Sequence, residues 1–502
     1  MSTQAQTQSK YAKYWTPDGL HHCSPLRMWG FTFNNVATNM YFFLMAYSTY
    51  YLIGFVGMAV FLASSFATIM RVWDGITDPV IGYWIDKTNG RFGKNRPFMI
   101  IGNIGLHITS FILFHVTHRL PEGIIRTVFF FAVAAIYYIF FTFQNAITRA
   151  GQACLTNDPK RRPQFAMFDG LNLLVMSATL TMFISNVLVP KYGTMYSAEL
   201  FHDLWCVCCI VSIIATIIAV ISIAPKDRTE FFGTGKPQKV TPKEYLDVIK
   251  NNKAIQMLIV AACTDKIASQ SRVSAIGVVL YGVIVGNYAL SGGMTLYTSI
   301  ASAVFCVVGA GWFATKFGQR KALVVASIGA LVFNIATAAL WLFGDPTTLN
   351  LPGYEGFHGF SMFTILFLIC TIGMTGFQQI SGNIVLPMIA DCADYEVYRS
   401  GRFVPGMMGT LFSLVDKCVS SAAPMIAGLL FMAIGFKDAL PDINTPYSDA
   451  LKYMSVFVMY GLTSIGLICN LFAMKYYPLT KEKMEEIQST ISEIKAKAAA
   501  EE

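Results

Sequence analysis

Charged side chains are scarce in this chain. Of its 502 residues, 13% are Asp, Glu, Lys or Arg, whereas 54% are hydrophobic. Soluble domains average about 25% charged residues, so this composition argues against a soluble catalytic domain. Apolar runs recur along the chain instead, each about as long as the 20 or so residues that a membrane-spanning helix needs. The sequence therefore predicts an all-α membrane protein.

Motifs that would indicate several other functions are missing from the sequence. There is no Gly-x-x-x-x-Gly-Lys-Ser/Thr loop to hold a nucleotide, so no ATP-driven step is expected. There is no His-rich or Cys-His cluster, and most of the 11 cysteines lie within apolar runs. We interpret these cysteines as small apolar side chains rather than as metal ligands or disulfides. No cofactor is expected, and a polytopic membrane enzyme is a less favoured alternative.

Twelve apolar runs are long enough to span a bilayer, and they fall into two groups of six. The first six lie within a predicted N-terminal bundle, 25–224, and the last six within a C-terminal bundle, 253–476. Residues 1–24, 225–252 and 477–502 are polar and are predicted to form an N-terminal segment, a connector and a tail. The predicted runs are 25–53, 55–85, 97–117, 124–153, 164–190, 203–224, 253–285, 290–314, 322–343, 360–388, 407–436 and 448–476.

Lys and Arg concentrate in the loops that follow the even-numbered runs, for example at 87–96, 160–162 and 316–321. The positive-inside rule places those loops in the cytoplasm, and therefore also the connector and both termini. The formal charge of +8 is thus a signal of topology. Because the basic residues are dispersed among loops without interleaved aromatic residues, no nucleic-acid partner is expected.

An internal repeat supports the division into two halves. Gly82 to Pro97, which includes Arg91-Phe92-Gly93-Lys94, follows the second run, and Gly311 to Lys321 follows the eighth. The two basic segments occupy equivalent places in the two groups of six helices. Two such repeats, related by an axis along the membrane normal, describe the major facilitator architecture.

Asp74 and Asp78 lie one helical turn apart inside the second apolar run. An ionised carboxylate at membrane depth costs at least a few kcal/mol, so it usually faces the interior and holds an ion, a proton or a partner charge. Oxygen ligands suit a hard cation such as sodium. Thr77 offers a hydroxyl, and Pro79 has no amide hydrogen for the carbonyl of Gly75. These residues predict a cation site.

Two alternatives to a sodium site remain open. Arg71 lies three residues before Asp74 and seven before Asp78, so it could neutralise both carboxylates along one stripe of the helix. Two neighbouring carboxylates also raise each other's proton affinity, so a proton could replace sodium. The sequence leaves sodium and proton as coupling ions.

The motif Trp73-Asp74-Gly75-Ile76-Thr77-Asp78-Pro79, with Ala390-Asp391-Cys392-Ala393-Asp394-Tyr395 and Lys417 in the second half, resembles the glycoside-pentoside-hexuronide:cation symporters. The similarity covers most of the chain. It implies a twelve-helix symporter that takes up a small polar solute, most simply a glycoside-type sugar, with sodium or a proton by alternating access. In this family the position of Thr142 belongs to the cation site. A lipid or amphiphile transporter of the same fold is the alternative.

The solute positions that the resemblance implies differ from the pattern of galactoside carriers in the same family. Two carboxylates and a tryptophan of those carriers correspond to Asn34, Asn145 and Arg149 of this chain. Amides still exchange hydrogen bonds with hydroxyls but lack the strength of a carboxylate. Together with Lys417, these residues predict a more electropositive solute site that favours an acidic or differently shaped ligand.

A set of charged residues at the predicted cytoplasmic ends of the helices could form a gating network. Its members are Arg71, Asp86, Arg91, Lys94, Asp394, Glu396, Arg399 and Arg402. Simple solvation of these charges is an alternative to pairing. The expected partners of the protein are a small-molecule solute, a monovalent cation and membrane lipid. A monomer in the cell membrane is expected.

Overall fold

A computed structural model describes residues 21, 23–88, 90, 92–156, 162–228, 231, 250–270, 274–305, 314–355, 357–400, 405–487 and 489–490. Within these ranges the regular secondary structure is helical, and Gly90 and Gly93 form an isolated β-bridge. The prediction of an all-α protein is confirmed.

Twelve long helices follow one another in the described part of the chain, and each overlaps one of the twelve predicted apolar runs. Short helices and π-helical turns extend several of them; Ser48–Tyr51 and Leu52–Val56, for example, follow the first. The long helices are α1 (Pro25–Ala46), α2 (Val60–Lys87), α3 (Arg96–Phe111), α4 (Ile124–Leu155), α5 (Arg162–Phe183), α6 (Ala198–Ile223), α7 (Lys253–Gln270), α8 (Ala289–Phe305), α9 (Gln319–Phe343), α10 (Met362–Ser400), α11 (Pro405–Ala433) and α12 (Leu462–Tyr476).

By length and composition, seven helical segments in the described ranges can cross a membrane. An eighth span results if Ala275–Ile284 and Ala289–Ser302, which meet at an angle of 118°, are counted together. Helix α2 is not among the seven, because its charged residues Arg71, Asp74 and Asp78 lower its hydropathy. The segments identify a multi-pass membrane protein.

Exposed isoleucines on α3 and α6 agree with a membrane environment. On α3, the side chains at every fourth position, Ile100, Ile104 and Ile108, are 42%, 54% and 56% exposed. Ile217 and Ile221 on α6 are exposed in the same way. Large apolar surfaces are rare on soluble monomers, and lipid accounts for them here.

Helix α10 is longer than the sequence predicted. It extends to Ser400, 39 residues in all, whereas the predicted span ended at residue 388. Hydropathy detects only the apolar part of a helix, and the added turns carry charged residues. One of them, Glu396, is fully buried and accepts hydrogen bonds from Asn252 and Arg399, so the charged end of the helix is stabilised.

The chain forms two compact units, residues 1–59 with 72–236 and residues 60–71 with 237–502. Helix α2 is continuous and is divided between them after Arg71. The core of the first unit contains Phe31, Phe98, Phe143 and Ile223. The second unit has its own core, which includes Ile255, Leu323, Met388 and Met474. The predicted connector 225–252 lies mostly outside the described residues.

Candidate cation site

Asp74, Asp78 and Thr142 converge in the first unit. The hydroxyl of Thr142 on α4 lies 2.8 Å from Oδ1 of Asp74 and 3.2 Å from Oδ1 of Asp78, both on α2. The hydroxyl can donate to either carboxylate. Asp74 and Thr142 are buried, with 2% and 5% of their surfaces exposed, whereas Asp78 is half-buried. The helical spacing of four residues places both carboxylates on the face that α4 covers.

Contacts on both sides of this cluster hold α2 against α4. The indole nitrogen of Trp73 donates to the carbonyl of Ala135 on α4 at 2.9 Å. Two turns further along α2, Ile81 belongs to the same buried cluster as Phe143, the residue after Thr142. The positions of the two carboxylates relative to the hydroxyl are therefore fixed by packing as well as by hydrogen bonds.

Thr77 turns its hydroxyl toward its own helix. It lies 3.2 Å from the carbonyls of both Trp73 and Asp74, which are available as acceptors. The oxygen of Thr77 keeps its own lone pairs for a ligand. Gly75 is half-buried in the same turn. Its carbonyl lacks the usual helical hydrogen bond, because the residue four positions later is Pro79, which has no amide hydrogen. The roles of Thr77, Gly75 and Arg71 at a cation site stay predictions.

The chemistry of the cluster suits a hard cation or a proton. Two carboxylates and a hydroxyl present oxygen atoms from two helices at one place, and hard monovalent cations bind such oxygens. In a buried site, two neighbouring acids also favour uptake of a positive charge over two ionised groups. A bound cation would be coordinated by lone pairs of the Asp74 and Asp78 carboxylates, which the Thr142 hydroxyl contacts in this structure.

The predicted solute residues occupy different environments. Asn34 on α1 is fully buried, and its amide donates to the carbonyl of Gln144 at 3.0 Å and to the hydroxyl of Thr148 at 2.9 Å. Asn145 is exposed on α4, and Lys417 is half-buried on α11. The side chain of Arg149 lies outside the described part of the structure. Their contact with a solute stays a prediction.

Among the predicted gating residues, Glu396 and Arg399 pair with each other within the second unit, at 2.7 Å. Asn252, just before α7, donates to the same carboxylate at 2.9 Å. Asp394 is half-buried. The side chain of Asp86 and the residues Arg91 and Arg402 lie outside the described part of the chain.

Sequence reasoning missed the role of Asp227, which follows α6 and is fully buried. Its carboxylate accepts hydrogen bonds from the main-chain amides of Lys94, Asn95 and Arg96 at 3.1, 3.0 and 3.0 Å. The side chains of Asn95 and Arg96 also donate to it, at 3.0 and 3.4 Å. A carboxylate at the N-terminus of α3 complements the helix dipole. Asp227 therefore anchors the loop between α2 and α3 to the end of α6.

The neighbouring Lys226 anchors a different helix end. Its ammonium group donates to the carbonyl of Leu155, the last residue of α4, at 3.0 Å, and lies 3.2 Å from Nδ1 of His21. A cation at a helix C-terminus is favourable. Burial nevertheless lowers the pKa of Lys226 to about 8. In the sequence, Lys226 and Asp227 had appeared as ordinary charges of a connector, because nothing local marks them as buried.

Solved transporter structures have the same fold as this chain. A proton-dependent oligopeptide transporter matches 92% of this chain and all of its own with a TM-score of 0.58 at 12% identity. A nucleoside transporter matches 91% of this chain and 99% of its own with a TM-score of 0.56 at 11% identity. These similarities confirm the predicted major facilitator fold.

Protein relatives match over nearly the full length. A glucuronide carrier protein homolog of Escherichia coli (strain K12) is 22% identical over 91% of this chain and 93% of its own. An isoprimeverose transporter of Lactiplantibacillus pentosus is 23% identical over 87% of each chain. Residues 31–481 match the family described as MFS/sugar transport protein. The chain belongs to this MFS/sugar transport protein family, and its resemblance to the glycoside-pentoside-hexuronide:cation symporters is confirmed.

Proposed function

We propose that this protein is a secondary active symporter that couples uptake of a glycoside-type sugar to a sodium or proton gradient by alternating access. Family membership and the names of the relatives, a glucuronide carrier homolog and an isoprimeverose transporter, support a sugar as the solute. The observation that carries coupling is the shared contact of the Thr142 hydroxyl with Asp74 and Asp78.

In this mechanism the cation is cargo, and α2 and α4 supply its ligands. Binding neutralises charge on the buried Asp74 and the half-buried Asp78, so the change between the outward- and inward-facing states costs less electrostatic energy with the ion bound. The gradient supplies about 2.3 kcal/mol per charge for each 100 mV, in addition to the concentration difference. Asp74, Asp78 and Thr142 are the principal ligands, and Thr77 and the carbonyl of Gly75 complete the set.

The solute contacts come from Asn145, Arg149 and Lys417. Arg149 and Lys417 add positive charge, which favours a solute with an acidic group over a neutral galactoside. Asn34 is the fourth proposed solute residue, and its amide nitrogen donates to Gln144 and Thr148, the residues directly before Asn145 and Arg149 on α4. The loops rich in Lys and Arg, the connector and both termini lie in the cytoplasm, and the protein acts as a monomer in the cell membrane. Its environment is membrane lipid, and it has no nucleic-acid partner.

The proposal is tested by uptake into proteoliposomes that contain the purified protein. Labelled glucuronide, a pentose-containing disaccharide and melibiose are offered under an imposed sodium gradient, an imposed proton gradient, or neither. Gradient-dependent accumulation of the glucuronide or the pentoside, with melibiose a weak competitor, is the expected result. Unlabelled melibiose and a zwitterionic lysolipid are then added as competitors. Competition only by the lysolipid would assign the protein to amphiphile transport. Strong competition by melibiose alone would contradict the proposed solute selectivity.

A further inference from the structure

A basic cavity of about 410 Å³ lies at the N-terminal end of α9, in the second unit. Arg320, Lys321 and Lys481 supply positive charge to its wall, and Phe317, Val324 and Val325 supply an apolar part; Gly318 and Thr480 complete the lining. Lys481 begins the short helix after α12, and its ammonium group donates to the carbonyl of Lys316 at 3.3 Å. Positive and apolar surfaces therefore meet in one cavity.

The cavity is part of the packing of the fold. Arg320 donates from Nε to the carbonyl of Met474 at 3.0 Å and from a terminal nitrogen to the carbonyl of Lys475 at 3.1 Å, at the end of α12. Gly318 has a φ of 85°, and a Cβ there would lie 2.9 Å from Cβ of Lys481. The close approach of the tail segment to Gly318 keeps Lys481 beside Arg320 and Lys321.

Glu482 is an acidic group close to these cations. Hydrogen bonds from its own backbone amide and from Thr480 lower the pKa of Glu482, and the charges of Lys321 and Lys481 lower it further. One carboxylate beside Lys321 and Lys481, with Arg320 also in the cavity wall, leaves an excess of positive charge. A second anionic group is electrostatically favoured here.

An exposed apolar stripe leads away from the cavity along α9. Val325, Ile328, Val332 and Ile335 lie on one face of the helix, and each is 45% to 59% exposed. From Val325 to Ile335 the helix rises about 15 Å, which is half of the roughly 30 Å hydrocarbon core of a bilayer. The stripe therefore matches the depth of one leaflet, with the basic cavity at its headgroup end.

We propose that this cavity and stripe bind one anionic glycerophospholipid, with its phosphate against Lys321, Lys481 and Arg320 and an acyl chain along Val325, Ile328, Val332 and Ile335. A groove in the first unit, between α3 and α6, provides a contrast. Its lining of ten residues includes Ile100, Ile104, Ile217 and Ile221 but no Lys, Arg, Asp or Glu. The basic end distinguishes the second unit's site from an ordinary lipid-facing groove.

The test is native mass spectrometry of the purified full-length protein, titrated with phosphatidylglycerol or phosphatidylcholine. The double variant Lys321→Gln/Lys481→Gln is compared with a control, Lys437→Gln/Lys452→Gln. The control removes the same charge from the segment between α11 and α12 in the same unit. We expect the first double variant to lose one tightly held phosphatidylglycerol, with affinity about 25-fold weaker at roughly fivefold per lysine. The control variant should retain it, and phosphatidylcholine should bind all proteins equally weakly.

The proposal would be overturned by equal retention of phosphatidylglycerol in wild type and the Lys321→Gln/Lys481→Gln variant. Equal loss in both double variants would overturn it as well. Displacement of the bound lipid by millimolar inorganic phosphate would also overturn it, because that result indicates a simple phosphate site. Thermal unfolding verifies that each variant is folded. The single variants Lys321→Gln and Lys481→Gln, each expected to weaken binding roughly fivefold, provide the measurement if the double variant is unstable. None of these outcomes depends on which solute is transported.

Discussion

Asp227 differs from the pair Asp74 and Asp78, also in the first unit, in what surrounds its carboxylate. Asp227 accepts hydrogen bonds from three consecutive main-chain amides, whose positions are fixed by the backbone. Asp74 and Asp78 instead converge on the hydroxyl of a side chain, Thr142. The main-chain amides at Asp227 are fixed donors, and a cation cannot take their place. The Thr142 hydroxyl can rotate and present its lone pairs to a cation. We propose that these surroundings distinguish a structural carboxylate from a cation ligand.

The comparison predicts its largest effect on stability at Asp227. In Asp227→Ala, three amides and the side chain of Arg96 lose their buried acceptor, so we expect a loss of about 3–5 kcal/mol in the free energy of unfolding. Thermal unfolding of the detergent-purified protein measures this. The control Asp438→Ala, at an exposed carboxylate, should leave the unfolding temperature unchanged. An Asp227→Ala protein as stable as wild type would contradict the assignment of Asp227 as a structural anchor.

The buried ammonium group of Lys226 makes the free energy of unfolding sensitive to pH. Its pKa of about 8 in the folded protein lies below the ordinary value of 10.5, so the unfolded chain binds more protons between these values. The free energy of unfolding should therefore rise with pH from about 8 to 10.5. In Lys226→Met this contribution is absent. The stability difference between wild type and variant should shift by roughly 2–3 kcal/mol in favour of wild type across that window.

The measurement is thermal unfolding of both proteins at several pH values from 7 to 10.5. Taking the difference between wild type and Lys226→Met removes the contributions of other titrating groups. A difference that does not change with pH would contradict the link between burial and the lowered pKa of Lys226.

Gly93 should be the next most sensitive position. Its φ is 91°, and a Cβ would lie 2.2 Å from Oδ2 of Asp227. Gly93→Ala should lose about 1–2 kcal/mol from the backbone conformation, and more from displacement of the carboxylate. Gly90 offers a matched control in the same loop, because a Cβ there would have no atom within 4 Å. Equal unfolding temperatures for Gly93→Ala and Gly90→Ala would show that the contact with Asp227 does not matter.

Thr142 should have the smallest effect on stability and a selective effect on the ion. Thr142→Val removes the hydroxyl at nearly constant volume, so the cation concentration for half-maximal uptake should rise about tenfold, as expected for one interaction with a charged group. Thr142→Ser keeps the hydroxyl and should stay close to wild type. Uptake measured against sodium concentration, and against pH, compares the two variants. Identical ion dependence in Thr142→Val and Thr142→Ser would remove Thr142 from the site.

The sequence predicted the parts of the molecule that depend on local pattern. Hydropathy predicted the helices, and the spacing of Asp74 and Asp78 predicted that they share a face. Their meeting with Thr142, 64 residues beyond Asp78, required the family resemblance, because no local pattern joins α2 to α4. The anchor of Lys226 and Asp227 could not be predicted, since burial of a charge depends on helix ends that are distant in the sequence. The end of α10 was missed because hydropathy does not detect a charged helix whose acids are satisfied by side chains.

The central claim is that Asp74 and Asp78 bind the coupling ion. The most direct measurement compares wild type with Asp78→Asn in proteoliposomes, for both accumulation driven by an ion gradient and exchange of labelled solute at equilibrium. The account predicts that Asp78→Asn loses accumulation but retains exchange, with an unfolding temperature close to that of wild type. Wild-type dependence on the ion gradient in the Asp78→Asn protein would contradict it.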